Sequence, residues 1–165
     1  MATRAQETLK PRHRLLIVDD DESTRMLLAQ ILSKELNVEA QLAGTCEQAL
    51  KLAGNYAYDA ILLDLLMPGI GGQAVLAEIR QHGPNAHTPI IIVSVVGDQA
   101  TIDACMAAGA NAYHHKPVHR DCGGGCGRSL HTDLAYVFSR IETGGQFPGL
   151  PRLPAPSRSG WSRRP

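Results

Sequence analysis

Short apolar runs alternate with helical patterns along most of this chain, and that alternation restricts the fold more than any other feature. The β-rich runs cover residues 14–19, 38–43, 60–64, 89–94 and 111–115. They are almost continuously apolar, as strands buried on both faces are, instead of alternating with polar residues. Strand–helix alternation of this kind predicts right-handed crossovers and a mostly parallel sheet covered by helices on both faces.

The segments between the runs have helical patterns with suitable ends. They cover residues 23–36, 46–53, 72–82 and 99–108. Either Asp21 or Ser23 can cap the first helix, Asp98 can cap the fourth, and Thr45 with Gln48 forms a capping box before the second. Asp21 is therefore more simply explained as a cap than as a ligand.

Polar side chains gather where the predicted strands end. The first run ends in Asp19 and Asp20, the third in Asp64, the fourth in Ser94, and the fifth is followed by Lys116. In an open α/β sheet, ligands bind just beyond the carboxyl ends of the strands. Crowded carboxylates favour a bound cation, and an all-oxygen ligand set suits Mg²⁺. Together with an amine and a hydroxyl, this set indicates phosphoryl transfer.

The ordered set resembles a known family. Asp19-Asp20, the stretch DLLMPGIGG from Asp64, Ser94 and Lys116-Pro117 are similar to the signature of response-regulator receiver domains of two-component signal transduction. The resemblance covers residues 14–118. It implies an α/β, flavodoxin-like (βα)5 fold, a doubly wound five-stranded parallel sheet of strand order 2-1-3-4-5.

The resemblance also implies roles for the acidic residues. Asp64 would be the phosphoacceptor, which takes a phosphoryl group from the phosphohistidine of a sensor histidine kinase or phosphotransfer protein. Mg²⁺ would be bound by Asp20, Asp64 and the backbone oxygen of Leu66, with Asp19 acting largely through water. The protein would catalyse only its own phosphorylation and slow dephosphorylation, so it would not be an enzyme in the turnover sense.

Three further residues have roles only through the resemblance. Lys116 would pair with the phosphoryl oxygens, and Ser94 would donate a hydrogen bond to one of them. Ser94 and Tyr113 would form the switch that changes a protein-interaction surface on phosphorylation, and a downstream protein would bind there.

Some residues depart from the usual family pattern. Ser94 replaces the commoner threonine, and Val95 stands where Ala or Gly is preferred, so its branched side chain crowds the approach to Asp64. Leu66 and Val96 are apolar at positions that tune phosphorylation and hydrolysis. With few polar groups to orient an attacking water, slow dephosphorylation is expected.

Composition restricts the class of partner and the location. Net charge is zero, which argues against a general nucleic-acid or membrane surface. No segment approaches the roughly 20 apolar residues that span a bilayer. The start lacks a secretory signal, and Cys46 and Cys105 lie in apparent helices, so a cytoplasmic location is expected. Homodimer formation is left open.

The segment after Pro117 departs most from the family. Residues 118–129 are glycine-rich, and a late, atypical fifth helix is predicted over Leu130–Glu142, with its docking left open. Cys122 and Cys126, with His119 close by, are within reach of zinc geometry but could equally be incidental thiols in a flexible loop. We expect a tail at 1–13, a receiver domain at 14–143 and a disordered Pro/Arg-rich tail at 144–165.

Two alternatives stand beside the phosphoacceptor. One is a receiver-like interaction module that works without phosphate, which the clustered carboxylates disfavour because such clusters are costly. The other is a phosphatase of the haloacid-dehalogenase type. That family uses an Asp-x-Asp on its first strand, and Asp64-Leu65-Leu66 lacks the second acid.

Overall fold

The computed structural model describes residues 13–117 and 129–143. In these ranges five strands alternate with five helices. The strands are β1 His13–Val18, β2 Val38–Ala43, β3 Ala60–Leu63, β4 Ile90–Ser94 and β5 Ala112–His115. The helices are α1 Glu22–Leu36, α2 Cys46–Asn55, α3 Gly72–Gln81, α4 Gln99–Ala107 and α5 Leu130–Glu142.

The strands form one parallel sheet in the order β2-β1-β3-β4-β5, so the predicted fold class and strand order are confirmed. β1 and β3 are neighbours in register, with Val18 opposite Leu63. Asp19 and Asp64 therefore leave the sheet at the same level. The predicted N-terminal tail is one residue too long, because His13 pairs with Val38 and belongs to β1.

The core has two parts, one on each face of the sheet. On one face, strand residues such as Leu16 and Ile61 pack with α2 and α3. On the other, Leu15, Leu62 and Ile91 pack with α1 and α5. All five of these side chains are fully buried or nearly so. The continuous apolar runs of the sequence are explained by this double coverage.

Side-chain caps fix where four of the five described helices begin. Of the two candidates for α1, the structure selects Asp21, whose carboxylate accepts the amide hydrogen of Thr24 at 2.9 Å. Thr45 and Asp98 cap α2 and α4 in the same way. The side chain of Gln48 accepts from the amide of Gly44 at 3.0 Å, one residue before the position that a regular capping box uses.

Helix α5 occupies the predicted range and is closely docked. Its N-cap is Ser129, and its buried face packs against the β1–β3–β4 side of the sheet. That face consists of Leu130, Leu134, Val137 and Phe138, while Ile141, on the same predicted face, is 38% exposed. The predicted glycine-rich loop with Cys122, Cys126 and His119, and most of both predicted tails, lie outside the described residues.

A half-buried arginine lies at the end of the sheet opposite the carboxylates. The guanidinium of Arg80 donates to the carbonyl oxygens of Gly109, Asn85, Ala86 and Thr88 at 2.8–3.3 Å. It also donates to the side-chain oxygen of Asn111 at 2.9 Å. Burial lowers the pKa of Arg80. One side chain therefore joins the end of α3 to the turns before β4 and β5.

Within the described ranges, no helix has both the length and the apolar character needed to cross a membrane.

Candidate functional site

Three carboxylates meet where β1 and β3 end. Asp19 and Asp64 are buried, with 2% and 5% of their surface exposed, and Asp20 is exposed. Their backbones continue the strand pattern: the amide of Asp64 donates to Val18 O at 2.9 Å, and that of Asp19 to Ala43 O at 3.1 Å. The sheet therefore fixes the main chain of both buried acids.

The three acids could hold a divalent cation. One carboxylate oxygen from each of Asp19, Asp20 and Asp64 lies within 4.8 Å of the others. Hard oxygen donors of high negative charge, partly open to solvent through Asp20, are what Mg²⁺ prefers, since it keeps several waters. The donor set therefore fits the predicted metal.

Lys116 joins the two buried acids. Its ammonium nitrogen lies 2.5 Å from Asp19 Oδ2 and 3.1 Å from Asp64 Oδ2. The backbone amide of Lys116 donates to Ser94 O at 2.9 Å, which anchors the lysine to the end of β4. Burial works against the charged ammonium, but the hydrogen bonds and charges of Asp19 and Asp64 outweigh it and raise the pKa of Lys116.

The ionised form of Asp19 is disfavoured in this cluster. Its burial raises its pKa, and this outweighs the opposing effect of the hydrogen bonds from Lys116 and from the amide of Asp21, which lies 2.9 Å from Asp19 Oδ1. The negative charge of Asp64 adds to the rise. A buried carboxylate whose charge remains unfavourable beside a lysine would be stabilised by a further cation.

The chain turns sharply directly after Asp64. Gly69 and Gly71 have φ values of 93° and 81°, which a glycine adopts without strain. Gly72 is required for a different reason, because a Cβ at this position would lie 2.1 Å from the carbonyl oxygen of Asp64. The amide of Leu66 lies 3.3 Å from Asp64 Oδ1. The predicted glycine corner thus brings the start of α3 against the acid.

Ser94 and Tyr113 form a neighbouring group. Ser94 is fully buried at the end of β4, and its hydroxyl accepts from the amide of Val96 at 3.4 Å. The hydroxyl of Tyr113 donates to the carbonyl oxygen of Val96. Burial raises the pKa of Tyr113, partly opposed by its hydrogen bond with Ser94. The two predicted switch residues therefore meet around Val96.

Two contacts at the site have no clear signal in the sequence. The guanidinium of Arg25, on the first turns of α1, donates to the backbone oxygen of Asp19 at 2.5 Å. The ring of His115 lies against Gly97, where a Cβ would be 3.1 Å from its Cδ2. The first contact joins residues six positions apart and the second joins β5 to the segment before α4, both through side chains that no local pattern distinguishes.

Comparison with known proteins supports the same family. The family model described as the response regulator receiver domain matches residues 15–122. The sensory/regulatory protein RpfC of Xanthomonas campestris pv. campestris is 36% identical over 107 residues. That match covers 64% of this chain but spans only 15% of RpfC.

Solved structures agree. A CheY-like response regulator receiver domain from Methanospirillum hungatei has a TM-score of 0.68 at 26% identity, over 81% of this chain and 100% of that one. The receiver domain of the sensor histidine kinase PA1611 from Pseudomonas aeruginosa, with magnesium coordinated in its active site cleft, has a TM-score of 0.62 at 25% identity, over 79% and 97%. On the match of its sequence to the family model and of its fold to these domains, the chain belongs to the family of response regulator receiver domains, which are signalling domains and not classical enzymes.

Proposed function

We propose that the protein is a phosphoacceptor receiver of a two-component phosphorelay, in which Asp64 accepts the phosphoryl group. The observation that carries the proposal is the position of Lys116, whose ammonium bridges the buried carboxylates of Asp19 and Asp64 at the carboxyl end of the sheet. Asp20, which is exposed, completes a cluster whose other two acids are buried, and a purely structural site has no need to bury them.

The reaction transfers a phosphoryl group from nitrogen to oxygen. A carboxylate oxygen of Asp64 attacks the phosphorus of a donor phosphohistidine, and the P–N bond breaks as the O–P bond forms. The imidazole nitrogen of the donor keeps the bonding electron pair. Because phosphoryl transfer depends mainly on positioning and on charge neutralisation, the protein needs no strong base. Lys116 neutralises the transferred oxygens, and Ser94 donates a hydrogen bond to one of them.

The acidic cluster would hold Mg²⁺. We assign Asp20, Asp64 and the backbone oxygen of Leu66 as ligands, with Asp19 acting mainly through water. When bound, the metal supplies charge neutralisation for the phosphoryl oxygens and offsets the repulsion among the carboxylates. In its absence, Lys116 is the cation that lies closest to both buried acids.

Phosphorylation would act on partners through a shift in population. Movement of the Ser94 hydroxyl toward a phosphoryl group changes its contact with the amide of Val96, whose carbonyl holds Tyr113. The phosphoryl group would shift an existing conformational equilibrium and create no new fold. The partners we propose are a sensor histidine kinase or phosphotransfer protein upstream and a protein downstream, with no direct nucleic-acid or membrane contact. We also place the protein in the cytoplasm.

Intact mass after incubation with acetyl phosphate and Mg²⁺ tests the proposal. We expect a single phosphoryl adduct on the wild-type protein, none on Asp64→Asn, and an unchanged adduct on Asp59→Asn, a matched surface aspartate that contacts Arg14 and His13. No wild-type adduct would instead favour the phosphate-independent interaction module. Continuous release of phosphate from the donor at an enzymatic rate would favour the phosphatase.

A further inference from the structure

We propose that His115 is a positioning residue that holds the segment after Ser94. It would thereby keep Tyr113 in its inward orientation, in which the Tyr113 hydroxyl donates to the carbonyl oxygen of Val96, before any phosphoryl group arrives. The inference rests on the proposed function for its consequence, but its geometry stands on contacts between β5 and the segment that joins β4 to α4. His115 is the last residue of β5 and lies opposite Ser94 in the sheet.

The ring of His115 occupies the space that a side chain at position 97 would need. A Cβ on Gly97 would lie 3.1 Å from Cδ2 and 3.2 Å from Nε2 of His115, closer than most real Cβ contacts. Gly97 is therefore the residue that lets the imidazole lie directly against the main chain. The ring is otherwise exposed, so its burial in a core does not account for this placement.

Tyr113 holds the adjoining residue from the same face of the strand. Residues two apart in a strand point to the same side, so the rings of Tyr113 and His115 are neighbours. The Tyr113 hydroxyl donates to the carbonyl oxygen of Val96, and the His115 ring contacts the next residue. Two side chains of β5 thus contact two consecutive residues of the segment that begins directly after Ser94.

These two contacts affect the predicted switch of Ser94 and Tyr113. Tyr113 keeps its hydrogen bond only while the carbonyl oxygen of Val96 stays within reach, and the position of that carbonyl depends on its neighbour Gly97. By fixing Gly97, His115 favours the arrangement in which Tyr113 is inward. Because a binding-competent conformation that is already populated lowers the cost of a later ligand, His115 would also favour phosphorylation of Asp64.

Fluorine NMR of protein labelled with 3-fluorotyrosine measures the orientation of Tyr113 directly. The chain has four tyrosines, and loss of one signal in Tyr113→Phe assigns it. In the absence of phosphodonor, we expect His115→Ala to raise the outward fraction of Tyr113 about fivefold, the size of a small coupling between sites. His115→Phe, which keeps a ring, should restore the wild-type ratio.

Two further variants separate this role from a general loss of stability. Gly97→Ala should displace the His115 ring and raise the outward fraction as His115→Ala does, and combining the two should add nothing further. His82→Ala removes an exposed histidine just beyond α3 and should leave the ratio unchanged. A Tyr113 signal that His115→Ala leaves unaltered would overturn the inference, as would an altered signal that His115→Phe fails to restore.

The rate of phosphorylation by acetyl phosphate gives the functional arm. It should fall in His115→Ala by the same factor by which the inward fraction of Tyr113 falls in the fluorine spectra. If the wild-type protein takes no phosphoryl group, the proposed function fails, and the fluorine ratio still decides the role of His115. If phosphorylation proceeds but His115→Ala changes neither the ratio nor the rate, only the role of His115 fails.

Discussion

The ammonium nitrogen of Lys116 lies 3.1 Å from Oδ2 of Asp64, and the same nitrogen contacts Asp19. The two carboxylates are almost entirely removed from water, and 15% of the Lys116 side chain is exposed. One lysine therefore balances two buried carboxylates, and the site is held together by the group that the chemistry would also use.

Lys116→Gln should destabilise the metal-free protein by about 3 kcal/mol, because removing one partner of a buried ion pair leaves its charges uncompensated. The free energy of unfolding in urea measures the effect. Mg²⁺ should recover more stability in Lys116→Gln than in the wild type, since it replaces the lost cation. Lys51→Gln, at an exposed position on α2, is the control and should change little. Equal stability of the two variants would contradict the prediction.

Asp19→Asn should raise the melting temperature of the metal-free protein at pH 7. Burial holds the pKa of Asp19 above its usual 3.8, so the folded state retains this proton to a higher pH than the unfolded state. Stability therefore falls as pH rises from about 4 through the folded pKa, and the loss persists at neutral pH. We expect a gain of about 3 °C, the shift that about 1 kcal/mol gives in a chain of this size.

The pH dependence of the melting temperature checks the cause. The decline above pH 4 should be shallower in Asp19→Asn than in the wild type. Added Mg²⁺ should raise the wild-type melting temperature more than that of the variant. A variant that melts below the wild type at pH 7 would mean that the ion pair with Lys116 outweighs the cost of burying Asp19.

Gly72→Ala should disrupt the site by displacing the main chain of Asp64 and Leu65. The new methyl group would lie 2.1 Å from the carbonyl oxygen of Asp64 and 2.7 Å from Leu65 Cα, so the main chain must shift. We expect a loss of about 2 kcal/mol in stability, as for other overpacked positions, together with slower phosphorylation. Gly54→Ala is the matched control, because no atom lies within 4 Å of its Cβ. In helix α2 it should stabilise by up to about 1 kcal/mol.

The sequence predicted the sheet because its information is local. Each buried strand is an apolar run, and four of the five described helices begin at a side-chain cap. Asp19, Asp64 and Lys116 each directly follow a strand, so the topology alone brings them together. The contact of Arg25 with the backbone of Asp19 spans six residues, and that of His115 with Gly97 joins two separate elements. Neither leaves a periodic trace in the sequence. The reactive residues at the strand ends were therefore predictable, whereas Arg25 and His115, which contact the main chain around them, were not.

Helix α5 shows the same limit. Its apolar spacing predicted the range Leu130–Glu142, but glycines before it gave no indication of close docking. The structure explains the docking by long-range contacts: His114 Nε2 lies 2.9 Å from Oδ2 of the buried Asp133, and His13 stacks on Phe138 with ring centres 4.5 Å apart. No motif links these residues, because each pair unites a strand with a helix.

His114→Ala should accordingly loosen α5. It removes a hydrogen-bond partner from a buried carboxylate, which costs about 2 kcal/mol. His131→Ala is a matched control on the same helix, since His131 contacts Glu35 at 3.5 Å but is 41% exposed, and it should cost under about 0.5 kcal/mol. Urea midpoints of both variants test the difference, and hydrogen exchange should show faster exchange along α5 in His114→Ala. Similar midpoints for the two variants would show that the buried pair adds no stability.

Loss of the phosphoryl group should be slow because the side chains beside Asp64 cannot orient water. Leu66, which is 54% exposed, and Val96, which is half-buried, are both apolar at the positions expected to tune hydrolysis. Decay of the adduct, followed by intact mass after removal of the phosphodonor, should take minutes or longer. Leu66→Asn supplies a polar group near Asp64 and should accelerate the decay about tenfold, less than the hundredfold or more of a positioned acid or base. Leu27→Asn, equally exposed on α1, should leave the decay unchanged. A wild-type half-life of seconds would show that water reaches the phosphoryl group without help from these side chains.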